Sequence, residues 1–122
     1  MKTILAATVA ILIAAMTLSA ADTVSGAWQI HQNIVGNESD LACTFTQTGD
    51  DLAGACDGPN GNMKLTGKVS EKKVTWTIQF DYNGTPLTMK YSGVLASATE
   101  MTGSVSVDPY QVEGEFTGVS AK

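Results

Sequence analysis

His31 is the only histidine in the chain, so any acid–base or nucleophilic chemistry built on imidazole must be built there. A catalytic imidazole needs a nucleophile and an orienting group within reach. His31 lies between Ile30 and Gln32 in an alternating stretch, which turns it outward and reads as surface. The two cysteines, Cys43 and Cys56, would need such a base to act as nucleophiles, and none is at hand. The carboxylates are no more promising. Glu113 and Glu115 alternate on one outward face, and Glu38 and Asp40 read as loop residues. Neither pair has the apolar surroundings that raise a carboxyl pKa for acid–base work. The stretch Asp57-Gly-Pro-Asn-Gly-Asn62 is rich in oxygen donors. It lacks the spacing and terminal glutamate of an EF-hand loop, and it reads as a plain loop of turn formers. No GxSxG, HExxH or CxxC is present. The expectation is a protein with no catalytic set, no metal site and no cofactor.

The composition limits partners as well. The first residues read MKTILAATVAILIAAMTLSAADT: Lys2, a largely apolar run from Ile4 to Leu18, then Ser19, Ala20 and Ala21. That is the layout of a secretory signal peptide, with cleavage expected after Ala21. The run is shorter than the ~20 residues that span a bilayer. Residues 22–122 would then form a single domain. All seven basic residues are lysines, and Lys2 goes with the signal, so six positive against twelve negative charges leave −6. This balance argues against nucleic acid and anionic lipid as partners. The predicted location is secreted or periplasmic. Asn37-Glu38-Ser39 and Asn83-Gly84-Thr85 match the glycosylation triplet, which matters only in a eukaryotic source.

The elements that must position these residues are strands. After residue 21 there is no helical periodicity, and turn residues recur about every ten positions, which reads as an antiparallel barrel or sandwich. Eight strands are predicted, near 24–34, 40–48, 51–57, 62–69, 72–82, 85–96, 99–107 and 111–119. Asn83-Gly84 is a strong type I′ turn signal. It sets Phe80 against Leu87, Ile78 against Met89 and Trp76 against Tyr91. A turn at Gly49-Asp50 sets Phe45 against Gly54 and Cys43 against Cys56. Directly opposed cysteines in an exported chain predict a disulfide.

Seven of the twelve glycines fall on the inward face of this pattern: Gly26, Gly54, Gly67, Gly93, Gly103, Gly114 and Gly118. Interior glycines let strands coil and make room for neighbouring rings, as a closed sheet requires. The fold class is therefore all-β, an antiparallel up-and-down β-barrel of about eight strands, with a two-sheet β-sandwich as the alternative. Trp28, Phe45, Trp76, Met89, Tyr91 and Phe116 point inward and are the candidate ligand-binding residues. Tyr82, Pro86, Pro109 and Tyr110 sit in or beside turns and could line an open mouth, with Met63, Met89 and Met101 as adaptable walls.

The opening SGAW at 25–28 resembles the Gly-X-Trp start of lipocalins and the similar start of streptavidin. The repeated L-T-G-x-V rhythm and the closing FTGV at 116–119 look like avidin-type barrels. The chain also resembles small bacterial periplasmic metalloprotease-inhibitor barrels, which share an SG-x-W opening and one disulfide. The calycin-like resemblance implies an eight-stranded meander barrel, and no ligand residues are carried over from it. Two functions remain open. One is a non-enzymatic exported binding module for a small apolar ligand in the barrel interior. The other is a filled-barrel scaffold or inhibitor that binds another exported protein through its loops.

Overall fold

The computed structural model describes residues 24–59 and 61–121. The expected signal peptide at 1–21 lies outside the described residues. The described chain forms eight strands: β1 (Gly26–Ile34), β2 (Asn37–Thr48), β3 (Asp51–Gly58), β4 (Gly61–Ser70), β5 (Lys73–Tyr82), β6 (Thr85–Ser97), β7 (Glu100–Asp108) and β8 (Val112–Ser120). Each pairs antiparallel with the next, and β8 returns to β1 to close an up-and-down barrel. Closure gives the terminal strands partners on both sides, so no open edge is left to pair with another chain. The sandwich alternative is thereby set aside.

The pattern that builds the barrel is a period of two. On β5, Val74, Trp76 and Ile78 are buried between outward threonines, and on β6 Leu87, Met89, Tyr91, Gly93 and Leu95 are buried in the same way. Side chains of a pleated strand alternate faces, so one face fills the interior and the other meets water. The two turn-specified registers hold: Trp76 opposes Tyr91, and Cys43 opposes Cys56. The cysteines form a disulfide with Cα atoms 4.0 Å apart.

One connection is tighter than the sequence suggests. Residues 35–39 read as a loop, yet β2 begins at Asn37 and the turn is only Val35-Gly36. Both residues have positive φ, 52° and 83°. A β-branched residue rarely adopts this conformation, which is why Val-Gly gives no turn signal. Glu38 and Asp40 are consequently strand residues.

The interior glycines face aromatic rings in register. Gly54 opposes Phe45, Gly67 opposes Trp76 and Gly103 opposes Phe116. A Cβ on Gly67 would overlap the Thr75 carbonyl oxygen and crowd the Trp76 backbone. At Gly93 the space a Cβ would take is held by the Phe116 ring, and at Gly118 the Trp28 ring lies within 3.5 Å of it. Such glycine–aromatic pairing is a recognised way to build a coiled, closed sheet.

Alternate turns of a meander barrel share an end. Residues 35–36, 83–84 and 109–111 therefore cluster with Pro59 at one end, opposite the turns at 49–50, 71–72 and 98–99. The second end is closed by the chain itself. Val24 is buried there, and its carbonyl accepts the Trp28 indole N–H at 2.9 Å. Gln47 ties the same segment down, its Oε1 accepting from the Val24 N–H and its own N–H donating to Ser25 Oγ.

Candidate ligand-binding site

Five aromatic rings occupy the closed half. Trp28 and Phe45 lie 6.5 Å apart, Phe45 and Trp76 5.0 Å, and Tyr91 stacks on Trp76 at 4.8 Å. Phe116 meets both Trp76 and Tyr91 edge-on. Offset and edge-to-face pairs of this kind are worth about 0.5–1.5 kcal/mol each beyond the area they bury. The Trp76 indole Nε1 is buried with no hydrogen-bond partner. Leaving a donor unpaired costs about 1–3 kcal/mol, which the ring contacts of Trp76 must offset.

The open half is different. Between the four clustered turns lies a cavity of about 260 Å³. Its walls are Ile34 of β1, Leu41 of β2, Met63 of β4, Phe80 of β5, Leu87 and Met89 of β6, and Val107 of β7. Tyr82, Tyr110 and Pro59 form the rim, and the two tyrosines are half exposed. The polar lining is limited to Gln32, Asn37 and Ser39. None of the lining residues is charged.

Gln32 marks the floor. It is only 6% exposed, the one buried side-chain amide among the described residues. Its Nε2 donates to Ser39 Oγ at 3.1 Å, and its Oε1 accepts from the Tyr91 hydroxyl at 2.6 Å. Strands β1 and β6 are not neighbours in the sheet. The Tyr91–Gln32 bond therefore crosses the barrel interior and separates the packed half from the hollow one. Burial pushes the Tyr91 phenol far above its ordinary pKa, because the phenolate would have to leave water. The hydroxyl is thus held as a proton donor.

The six candidate ligand residues split between these two halves. Met89 lines the cavity, and Tyr91 supports its floor through Gln32. Trp28, Phe45, Trp76 and Phe116 are at most 2% exposed and pack against one another in the closed half. Of the turn residues, Tyr82 and Tyr110 line the mouth as expected, with Met63 beside them. Pro86 faces outward opposite Asp81, and Met101 is fully buried near Gly118 in the other half. Gln32, Ser39 and Asn37 were not foreseen. The inward series Gly26, Trp28, Ile30 continues by twos to Gln32, and Leu41 leads back by twos to Ser39 and Asn37. Polar side chains at these positions break the apolar signal while the alternation continues through them.

Two other surface features are not sites of this kind. An open trough of about 890 Å³ runs over the outer wall, flanked by Lys68, Lys90 and the hydroxyls of Thr75, Thr77, Ser92, Ser104 and Ser106. Its side chains are hydrated outward residues, so it would not remove a ligand from water. On the outside of β1 and β2, His31 stands between two carboxylates, with Nδ1 2.6 Å from Asp40 and Nε2 2.9 Å from Glu38. The Asp40 hydrogen bond first, then that to Glu38, raises the His31 pKa above its usual value. Both ring nitrogens are thus engaged by carboxylates on the outer face of the sheet, away from the barrel interior. The described residues contain no cluster arranged to hold a metal ion.

No family model matches the sequence, and no curated protein matches it. Solved structures do match in fold. A redesigned β-barrel superposes with a TM-score of 0.68 at 13% identity, covering 81% of this chain and 92% of that one. The redesigned β-barrel mFAP1, bound to DFHBI, gives 0.61 at 14% identity, covering 79% and 94%. The redesigned barrel mFAP0, also bound to DFHBI, gives 0.61 at 17% identity, covering 79% and 97%.

Proposed function

We propose that this chain is a non-enzymatic, exported, calycin-like binding module that holds a small apolar molecule in the cavity at the open end of the barrel. The observation that carries the reading is the contrast between the two halves. One half is filled by five packed rings, while the other keeps an uncharged cavity of about 260 Å³ with an aromatic rim. Interiors ordinarily pack to leave few voids larger than a water molecule. A hollow of this size is just below the ~300–1,000 Å³ typical of small-molecule sites, so the ligand is smaller than a drug-sized one.

The rim supports the same reading. Val35, Tyr82 and Tyr110 are exposed apolar residues at this end. Val35 also holds a strained left-handed conformation where Asn would sit at ease. Strain of this kind concentrates at functional sites. That mFAP1 and mFAP0 are barrels of the same architecture solved with DFHBI adds support for a bound molecule.

The test is native mass spectrometry of the protein purified without detergent, alongside a Met89→Trp variant that fills the cavity. Extra mass that is retained natively, lost on denaturation and absent from the variant is the expected result. A chain bare in both forms, which also fails to take up small apolar compounds in solution, refutes the proposal.

A further inference from the structure

The cavity has a chemical preference built into its floor, and this inference rests on the binding reading above. We propose that the site selects a neutral apolar molecule bearing one carbonyl oxygen, which Gln32 and Ser39 hold by hydrogen bonds at the bottom of the cavity.

A glutamine amide has two N–H donors and a carbonyl oxygen with two lone pairs, and a serine hydroxyl has one donor and two lone pairs. The Tyr91 hydroxyl already occupies Gln32 Oε1, and one Gln32 N–H is spent on Ser39 Oγ. This leaves the second N–H of Gln32 and the proton of Ser39 unspent, on two residues that line the cavity. Each of the two oxygens keeps a lone pair but already has one partner, whereas these two protons have none; an orphaned donor is the costlier shortfall, so the floor calls first for an acceptor. Tyr91 fixes this polarity from below. Its hydroxyl donates to Gln32 Oε1, which turns the amide nitrogen to the Ser39 side, and burial keeps that hydroxyl protonated. A ligand that accepts hydrogen bonds satisfies these protons, and a ligand with only donors or no polar atom leaves them without a partner.

Charge is excluded by the remainder of the lining. No lysine or histidine lines the cavity to pair with an anion, and no carboxylate lines it to pair with a cation. Moving an ion out of water costs several kcal/mol unless it finds a partner. The protein is also strongly acidic, with twelve carboxylates, which adds a long-range penalty for anions. The opening is walled by apolar and aromatic side chains, so the body of the ligand is hydrocarbon or aromatic and its carbonyl goes in first.

Three two-ring probes of matched size test this by isothermal titration calorimetry: 2-acetonaphthone, 2-ethylnaphthalene and 2-naphthoate. The ketone is expected to bind about tenfold more tightly than the hydrocarbon, the worth of one buried hydrogen bond, and the naphthoate more weakly than either. Gln32→Leu combined with Ser39→Ala, which removes both donors, is expected to bring the ketone and hydrocarbon to equal affinity. The wild-type protein carries an independent readout, a shift of the Gln32 side-chain amide resonance with the ketone alone. Equal binding of ketone and hydrocarbon, or preferred binding of the naphthoate, overturns the carbonyl assignment and leaves the cavity as a site. Failure of all three probes to bind overturns the assignment together with the binding reading it rests on.

Discussion

The hydrogen bond from Tyr91 to Gln32 crosses the barrel, and its removal is the sharpest test of how the interior is organised. Tyr91→Phe deletes only the hydroxyl. The ring stays, so the stacking on Trp76 at 4.8 Å is kept. What is lost is the partner of Gln32 Oε1, a buried acceptor that held a 2.6 Å bond. Stranding a buried polar group costs about 1–3 kcal/mol, whereas replacing both partners by apolar groups can be nearly neutral. Gln32→Leu alone strands the Tyr91 hydroxyl at similar cost. The double variant strands neither, so the two costs are expected to fall short of additive by about 1–2 kcal/mol, a coupling usual for contacting residues. Urea unfolding of the four proteins measures it. With a slope of about 2 kcal/mol/M for a small domain, a 2 kcal/mol loss lowers the midpoint by about 1 M. If both single variants unfold with the wild type, or if the double variant is strictly additive, the bond is not a structural tie and the division of the interior fails.

Other consequences follow from particular residues. Gly67→Ala places a methyl group onto the Thr75 carbonyl and is expected to destabilise by about 3 kcal/mol or more, read as a large fall in the urea midpoint; a variant as stable as wild type would show that β4 and β5 are not so closely paired. Reduction of Cys43–Cys56, or replacement of both by Ala, opens a loop of sequence separation 13. On the chain-entropy model that costs about 3 kcal/mol, and calorimetry should show the transition falling by roughly 4–8 °C per kcal/mol. Val35→Asn relieves a left-handed β-branched residue and creates Asn-Gly, so it should raise stability by about 1 kcal/mol in the same urea assay. The Tyr91 phenol is raised in the folded state, so between its ordinary value and its folded one the native protein binds more protons than the unfolded chain. Stability contributed by this group is complete below about pH 10 and is lost as pH rises further; unfolding measured from pH 9 to 11 should show a shallower decline in Tyr91→Phe.

How far the sequence disclosed this can be traced to individual residues. The barrel was legible because period-two alternation, Asn83-Gly84 and the inward glycines all demand the same closed sheet. The register at Cys43 and Cys56 followed from one turn and the pleat. The site was less legible. Gln32 looked like an end of the inward series because its type is polar, although its position in the alternation is inward. Only the three-dimensional closure shows that β6 brings a tyrosine hydroxyl across to it. Val35-Gly36 gives no turn signal because its conformation is disfavoured for valine, and the strand position of Glu38 is hidden with it. Trp28, Phe45, Trp76 and Phe116 were rightly placed inside, but inward direction alone does not tell which end of a barrel is filled.

That last distinction has a physical basis in how a small barrel can hold a cavity at all. A domain of about 100 residues buries little more than 60% of its unfolded surface, and a hollow gives up contacts that a packed interior would gain. The closed half compensates by concentrating its large side chains. Three aromatics are paired in register with three glycines, the N-terminal segment covers the end through Val24 and Trp28, and a disulfide joins β2 to β3 where the cavity wall at Leu41 gives way to the rings at Phe45. The open half is then free to carry methionines, a strained turn and exposed tyrosines. Substitutions at Gly67, Phe45 or Cys56 should act on stability, while those at Met63, Leu87 or Met89 should act on occupancy with modest effect on folding. Tyr91 and Gln32 sit at the boundary, and they alone should move both, because the same hydrogen bond that ties the barrel across its interior also aims the donors of the floor.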